Sequence, residues 1–122
     1  MAYTNPSTIL VIAKEALIQA LMCSLVDLAG HTVTQACGDE TVTAAIRRVR
    51  PDLLLLDCEH DCACEEEAYD AAVSVGAEVL LFTPARTNDE VADFARVRGL
   101  RSMALPICLR EFSAALQTSL RA

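Results

Sequence analysis

The sequence predicts an α/β domain in which helices cover both faces of a parallel β-sheet. Short apolar runs alternate with helical patterns along the whole chain, and the third run, Leu53 to Leu56, contains no polar residue. An uninterrupted apolar run of this kind is typical of a strand buried on both faces of a parallel sheet. Alternating strands and helices imply right-handed crossovers. We expect a single domain over residues 1–122.

Three strands and two helices are predicted in the first half of the chain. Leucines with helical spacing end at Gly30, a residue that commonly stops helices, and Pro51 ends the second helical pattern. The predicted elements are a strand from Thr8 to Ala13, a helix from Glu15 to Ala29, a strand from His31 to Ala36, a helix between Gly38 and Pro51, and a strand that ends at Asp57.

The second half continues the same alternation after a polar loop, residues 58–64. Acidic residues open the third helix, which suits the positive end of a helix dipole, and Gly76 and Gly99 follow helical patterns as stops. The predicted elements are a helix from about Glu65 to Val75, a strand from Glu78 to Thr83, a helix that starts at Asn88, a weak strand from Leu100 to Leu105, and a last helix marked by Leu109, Phe112, Leu116 and Leu120.

The charge and the composition exclude several classes of protein. The net charge is −7, from 17 acidic and 10 basic residues, which disfavours nucleic-acid binding by this chain alone. The sequence contains no apolar run long enough to span a membrane. The first residues lack the pattern of a signal peptide, so we expect a cytoplasmic protein. Six cysteines are present, but in a cytoplasmic domain of this size disulfides are not expected.

Several segments resemble those of response-regulator receiver domains, and the resemblance extends from Thr8 to about Leu120. It implies a flavodoxin-like (βα)5 fold with strand order 2-1-3-4-5 and a role in two-component signal transduction. The segments that carry it are Ile9-Leu10-Val11-Ile12, Pro51 to Asp57, Leu80-Leu81-Phe82-Thr83, and Gly99 together with Pro106.

Three residues match the phosphorylation site that the resemblance implies. Asp57 has the position of the phosphoacceptor, and Thr83 has the position of the hydroxyl that contacts the phosphoryl group. Pro106 matches the proline after the fifth strand, so the Leu105-Pro106 bond is expected to be cis.

Four positions depart from that site. Ala13 and Lys14 stand where receivers carry the two acids that bind Mg²⁺, and neither offers a hard oxygen ligand from its side chain. Pro84 has no backbone N–H to donate, and Leu105 replaces the lysine. We therefore expect no cofactor and weak or absent Mg²⁺ binding. Lys14 is the only lysine of the chain, and we expect its ammonium group to form an ion pair with Asp57.

The loop after Asp57 concentrates four ligands of a kind that binds zinc: Cys58, His60, Cys62 and Cys64. Their spacing does not match the usual paired zinc motifs. Cys58 and Cys62 are also spaced for a redox pair, whereas Cys62 and Cys64 are too close for an unstrained disulfide. A polar loop with cysteines of no special function is the third interpretation, and we expect no metal.

The interpretation favoured by these departures is an atypical receiver that acts by protein–protein interaction, independently of phosphorylation. No nucleophile–base arrangement or phosphate loop indicates an enzyme. The expected partner is a histidine kinase or a downstream effector, and a homodimer is possible. Two alternatives are a conventional phosphorelay receiver, phosphorylated on Asp57 by a histidine kinase, and a metal or thiol sensor that uses the Cys58–Cys64 loop. The expected contact surface is formed by the fourth helix, the fifth strand and the last helix, with Glu90, Asp93, Arg96, Arg110 and Gln117.

Overall fold

A five-stranded parallel sheet forms the centre of the computed structural model, which describes residues 7–83, 93, 95–104 and 108–120. The strand order is 2-1-3-4-5, which confirms the expected topology. The strands are β1 (Thr8–Ile12), β2 (Thr32–Thr34), β3 (Leu53–Asp57), β4 (Glu78–Thr83) and β5 (Arg101–Ala104).

Helices connect the strands and cover both faces of the sheet. The helices are α1 (Ala16–Leu28), α2 (Val42–Val49), α3 (Glu66–Ser74), α4, to which Asp93 and residues 95–97 belong, and α5 (Leu109–Leu120). In the described part of the chain, no helix combines the length and the apolar character needed to cross a bilayer.

The second strand and the loop after Asp57 differ from the sequence prediction. The second strand was expected over six residues but contains three, because β2 lies at the edge of the sheet and pairs only with β1, from Thr8 to Leu10. Residues 58–64 were predicted as a polar loop, and within it residues Asp61–Cys64 form a 3₁₀ turn. The residue before this turn caps it, since the His60 imidazole accepts a hydrogen bond from the Cys62 backbone N–H at 3.2 Å.

The apolar side chains divide into two cores because successive residues of a strand point to opposite faces of the sheet. Leu53 and Leu55 of β3 pack with α1 and α5 on one face, and Leu54 and Leu56 pack with α2 and α3 on the other. All four leucines are fully buried. The uninterrupted apolar run of β3 is therefore explained by its central position, where both faces are covered.

The register of the central strands determines what lies beside Asp57. Ile12 of β1 pairs with Leu56 of β3, and Asp57 pairs with Phe82 of β4. The strands are parallel, so their carboxyl ends and the loops that follow them lie at the same edge of the sheet. The loop between β1 and α1 is thereby placed next to the Asp57 carboxylate.

Candidate functional site

The Asp57 carboxylate is buried and is hydrogen-bonded by backbone groups of two loops. Asp57 is 2% exposed at the end of β3. Its Oδ2 accepts a hydrogen bond from the Lys14 backbone N–H at 3.1 Å, and its Oδ1 accepts one from the Glu59 backbone N–H at 2.9 Å. The Asp57 backbone carbonyl also accepts a hydrogen bond from the His60 N–H at 3.0 Å. The side chain therefore connects the loop after β1 with the loop after β3.

Gln19 of α1 holds the same end of β1 from the other side. Its Oε1 accepts a hydrogen bond from the Ala13 backbone N–H at 2.8 Å, and its Nε2 donates to the Val11 carbonyl at 2.8 Å. Nε2 also donates a hydrogen bond to Oε1 of Gln35 at 3.2 Å. The successive N–H groups of Ala13 and Lys14 are thus bound by two different side chains. The chain after β1 is fixed by the Gln19 amide and by the Asp57 carboxylate.

Sequence reasoning did not identify Gln19, although a signal was present. Gln19 is the one polar residue between Ala16 and Cys23, in a helix whose neighbouring positions are apolar. A buried or half-buried polar side chain in such a setting requires hydrogen-bond partners. The partners, however, are the backbone groups of Val11 and Ala13. Because every residue type carries a backbone carbonyl, and all but proline an N–H, the residue types do not reveal these contacts.

The contact between Lys14 and Asp57 differs from the expected ion pair. It is made by the Lys14 backbone N–H, while the Lys14 side chain is exposed. Within the described ranges, no ion pair joins the Lys14 ammonium to the Asp57 carboxylate. Two backbone donors already satisfy the carboxylate, and bringing the ammonium into the site would remove its hydration. The proximity of the two residues was predicted correctly, but the group that makes the contact was not.

The remaining residues of the expected phosphorylation site are described only in part. Thr83 is the last residue of β4, and its backbone pairs with Ala104 of β5. Pro84, Leu105 and Pro106 lie outside the described residues. Their expected roles, including the cis bond before Pro106, therefore stay predictions.

A cavity of about 330 Å³ opens beside the Asp57 loop, next to Gln19 and His60. Its lining contains no lysine or arginine, and its one acid, Glu40, is 2.8 Å from the Arg48 guanidinium. Hydrogen bonds from Arg48 and from the Cys37 backbone lower the pKa of Glu40. Among the residues that line it, the cavity therefore offers no lysine or arginine side chain to a phosphoryl group.

The cysteine loop does not assemble a metal site. Cys58 and Cys62 are buried, whereas Cys64 is exposed. Among the residues that the structure describes, no three His, Cys, Asp or Glu side chains are grouped so that they could hold a metal ion. Burial, together with the nearby charges of Glu65 and Asp61, raises the pKa of the Cys62 thiol to about 12. Zinc binds thiolates, so this environment opposes the ligand form of Cys62.

Comparison with solved structures identifies receiver domains over nearly the whole chain. The signal receiver domain of a modulated diguanylate cyclase from Desulfovibrio desulfuricans has a TM-score of 0.75 at 17% identity and covers 95% of this chain and 94% of its own. A response regulator receiver protein from Burkholderia phymatum has a TM-score of 0.74 at 18% identity, with 94% and 95% covered.

A third similar structure is a protein described as pilus assembly-related, from Burkholderia pseudomallei. It has a TM-score of 0.70 at 23% identity and covers 99% of this chain and 94% of its own. No protein-family model and no curated protein matches the sequence. The chain therefore has the fold of response-regulator receiver domains, with the expected flavodoxin-like topology.

Substitution of Asp57 by Ala is expected to lower the free energy of unfolding by about 1–3 kcal/mol, because the N–H groups of Lys14 and Glu59 lose their acceptor in a partly buried site. Urea denaturation followed by circular dichroism measures the change. Asp52→Ala is the matched control, since Asp52 also accepts a backbone hydrogen bond, from Thr8 at 2.8 Å, but at an exposed site where water can replace it. A stabilising effect of Asp57→Ala would contradict a structural role for the carboxylate.

Cys62 is expected to react far more slowly with iodoacetamide than the exposed cysteines in the folded protein at pH 8. A thiol of pKa about 12 rather than 9.0 has roughly a thousandfold less thiolate at that pH, and burial further limits access. Mass spectrometry after timed labelling measures the rate at each cysteine. Cys64, which is exposed in the same loop, is the internal control. Rapid labelling of Cys62 would instead favour a thiol sensor.

Proposed function

We propose that the chain is an atypical receiver domain that acts in two-component signal transduction by binding another signalling protein, without phosphorylation. The observation that supports this proposal is that Asp57 is buried and its carboxylate is already hydrogen-bonded by the backbone. Its carboxylate is 2% exposed and both oxygens accept backbone hydrogen bonds. The proposal includes a cytoplasmic, non-enzymatic chain with a single domain.

Loss of the metal ligands is the main chemical argument against phosphotransfer. Phosphoryl transfer depends on positioning and on neutralisation of charge by metal ions and cations. Ala13 and Lys14 follow β1 without a carboxylate, and their N–H groups are bound by Gln19 and Asp57. Removal of a single preorganised group typically costs about 10²–10³ in rate. Loss of both metal acids is therefore sufficient to suppress acceptor chemistry at Asp57.

The exposed surface of α4, β5 and α5 offers charged groups to a partner. Arg96 and Asp93 of α4 form an exposed ion pair at 2.8 Å. Arg110 and Gln117 of α5 are exposed as well, and Glu90 lies outside the described residues. An ion pair on the surface contributes little to folding stability, so these charges are available for recognition, where they affect the association rate and the specificity.

The two alternatives have less support. A zinc sensor would need converging ligands, and none are grouped within the described part of the chain. A conventional phosphorelay receiver would need an accessible carboxylate beside Mg²⁺ ligands. The burial of Asp57 and the side chains of Ala13 and Lys14 oppose it.

The chain is expected to show no Mg²⁺-dependent phosphorylation from acetyl phosphate, because no acid at the end of β1 can bind the metal. NMR with ¹⁵N-labelled protein measures this directly, since the amides of Lys14 and Glu59 report on the Asp57 carboxylate. Beryllofluoride with Mg²⁺ should likewise leave both signals in place. Incorporation of phosphate that Asp57→Asn abolishes would refute the proposal.

The double variant Ala13→Asp/Lys14→Asp provides the matched gain-of-function control. It supplies two carboxylates while it preserves the backbone N–H of residue 14. Addition of Mg²⁺ should shift the amide signals at this site in the double variant but not in the wild-type chain. An equal response of both proteins would show that the acids are not the missing element.

We expect the affinity for a signalling partner captured by the wild-type chain to be unchanged in Asp57→Asn. The same affinity should fall when charges on the α4–α5 surface are reversed. Arg96→Glu and Arg110→Glu should each weaken the complex about 3- to 30-fold, as measured by isothermal titration calorimetry. Arg47→Glu, at an exposed site on α2, is the control with the same change of charge. A large loss of affinity in a folded Asp57→Asn variant would indicate that the site still switches.

A further inference from the structure

Helix α1 exposes large apolar side chains on the side that faces away from the sheet. Leu17, Leu21 and Leu28 are 79%, 46% and 67% exposed, whereas Met22 and Val26 on the inner side are fully buried. The outer side of a helix in a monomeric domain is normally polar. Three exposed leucines on one helix are therefore not explained by the packing of this chain alone.

The exposed residues lie along one line on the helix surface. Positions 17, 21, 24 and 28 are separated by four, three and four residues, which is the spacing of a seam between two packed helices. Ser24, the fourth member, is exposed and small. We call Leu17, Leu21, Ser24 and Leu28 the leucine face.

Charge is nearly absent from this part of the molecule. Between Ala16 and Leu28 the only charged residue is Asp27, although the chain as a whole carries a net charge of −7. Two copies of so acidic a chain repel each other over most of their surface. The leucine face is a place where two copies can meet with little repulsion.

We propose that the leucine face is a homodimer interface, in which two α1 helices pack antiparallel about a two-fold axis between positions 21 and 24. A two-fold interface uses the same patch on both copies. In this arrangement Leu17 faces Leu28 of the second copy, and Leu21 faces Ser24 of the second copy. The small Ser24 leaves room for the leucine that opposes it.

Two charged side chains favour this orientation. Lys14 and Asp27 are both exposed, and within the described residues neither is in an ion pair. The antiparallel arrangement places Asp27 of the second copy opposite residue 18, about 3 Å along the axis from Ala16, the first residue of α1. Lys14 lies two residues before Ala16, so the two opposite charges lie at the same end of the interface. A parallel arrangement would instead place Lys14 beside Lys14 and Asp27 beside Asp27.

This interface is separate from the surface assigned above to the signalling partner. The leucine face belongs to α1, whereas that partner is proposed to contact α4, β5 and α5. A dimer through α1 would therefore present two partner-binding surfaces. The dimer and the phosphorylation-independent function can be tested independently, since Leu17→Glu and Leu28→Glu alter neither Asp57 nor the residues that contact it.

Sedimentation velocity of the 122-residue chain, over a range of micromolar concentrations, tests the proposal. The wild-type chain is expected to form a dimer, and Leu17→Glu and Leu28→Glu are each expected to raise its dissociation constant at least about tenfold. Val73→Glu and Val97→Glu are matched controls, because these valines are 77% and 80% exposed on other helices and receive the same added charge. Circular dichroism establishes that each variant is folded.

A charge swap tests the orientation. Lys14→Glu and Asp27→Lys should each weaken the dimer a few-fold because they place like charges together, and the double variant should restore wild-type affinity. A monomer at the highest concentration would overturn the proposal, as would a dimer weakened equally by the valine controls. A dimer that responds only to Arg96→Glu or Arg110→Glu would overturn it in favour of the α4–α5 surface. A monomeric chain whose leucine face binds only a helix of another protein would overturn it too.

Discussion

The hydrogen bonds between the Asp57 carboxylate and the backbone N–H groups of Lys14 and Glu59 join the two loops on which the functional edge of this domain depends. A buried carboxylate is costly unless its oxygens are bound, and here the bonds come from residues whose positions are fixed by the strands before them. β1 and β3 are neighbours in the sheet, so the loops that follow these strands leave it side by side. One acid at the end of a central strand thus serves as a structural connector.

The order of elements could be predicted from the patterns of apolar residues, and the position of the site from those patterns together with the resemblance to receiver domains. The run before Asp57 identifies a strand buried on both faces, and its last residue must lie at the carboxyl edge of the sheet. Crossover connections then bring the chain after β1 to the same edge. The strand order that places β1 beside β3 was implied by the receiver resemblance, and the proximity of Lys14 and Asp57 was predicted from it.

The details that were not predicted depend on backbone groups and on solvation. Lys14 was expected to use its ammonium, but its N–H makes the contact while the side chain stays in water. The choice between these two groups is set by the free energy of dehydrating a charge, which residue types alone do not reveal. Gln19 was missed for a related reason, because its partners are the N–H of Ala13 and the carbonyl of Val11.

The Gln19 amide has a consequence for how the domain responds to its surroundings. An amide carries no net charge and does not titrate at physiological pH, so its bonds to β1 are little affected by ionic strength. Mobile ions screen charged contacts at an exposed site, and a bound metal leaves when the free metal is depleted. The bonds of Gln19 to the Val11 carbonyl and the Ala13 N–H depend on neither. These two contacts should therefore change little with the concentrations of salt and magnesium.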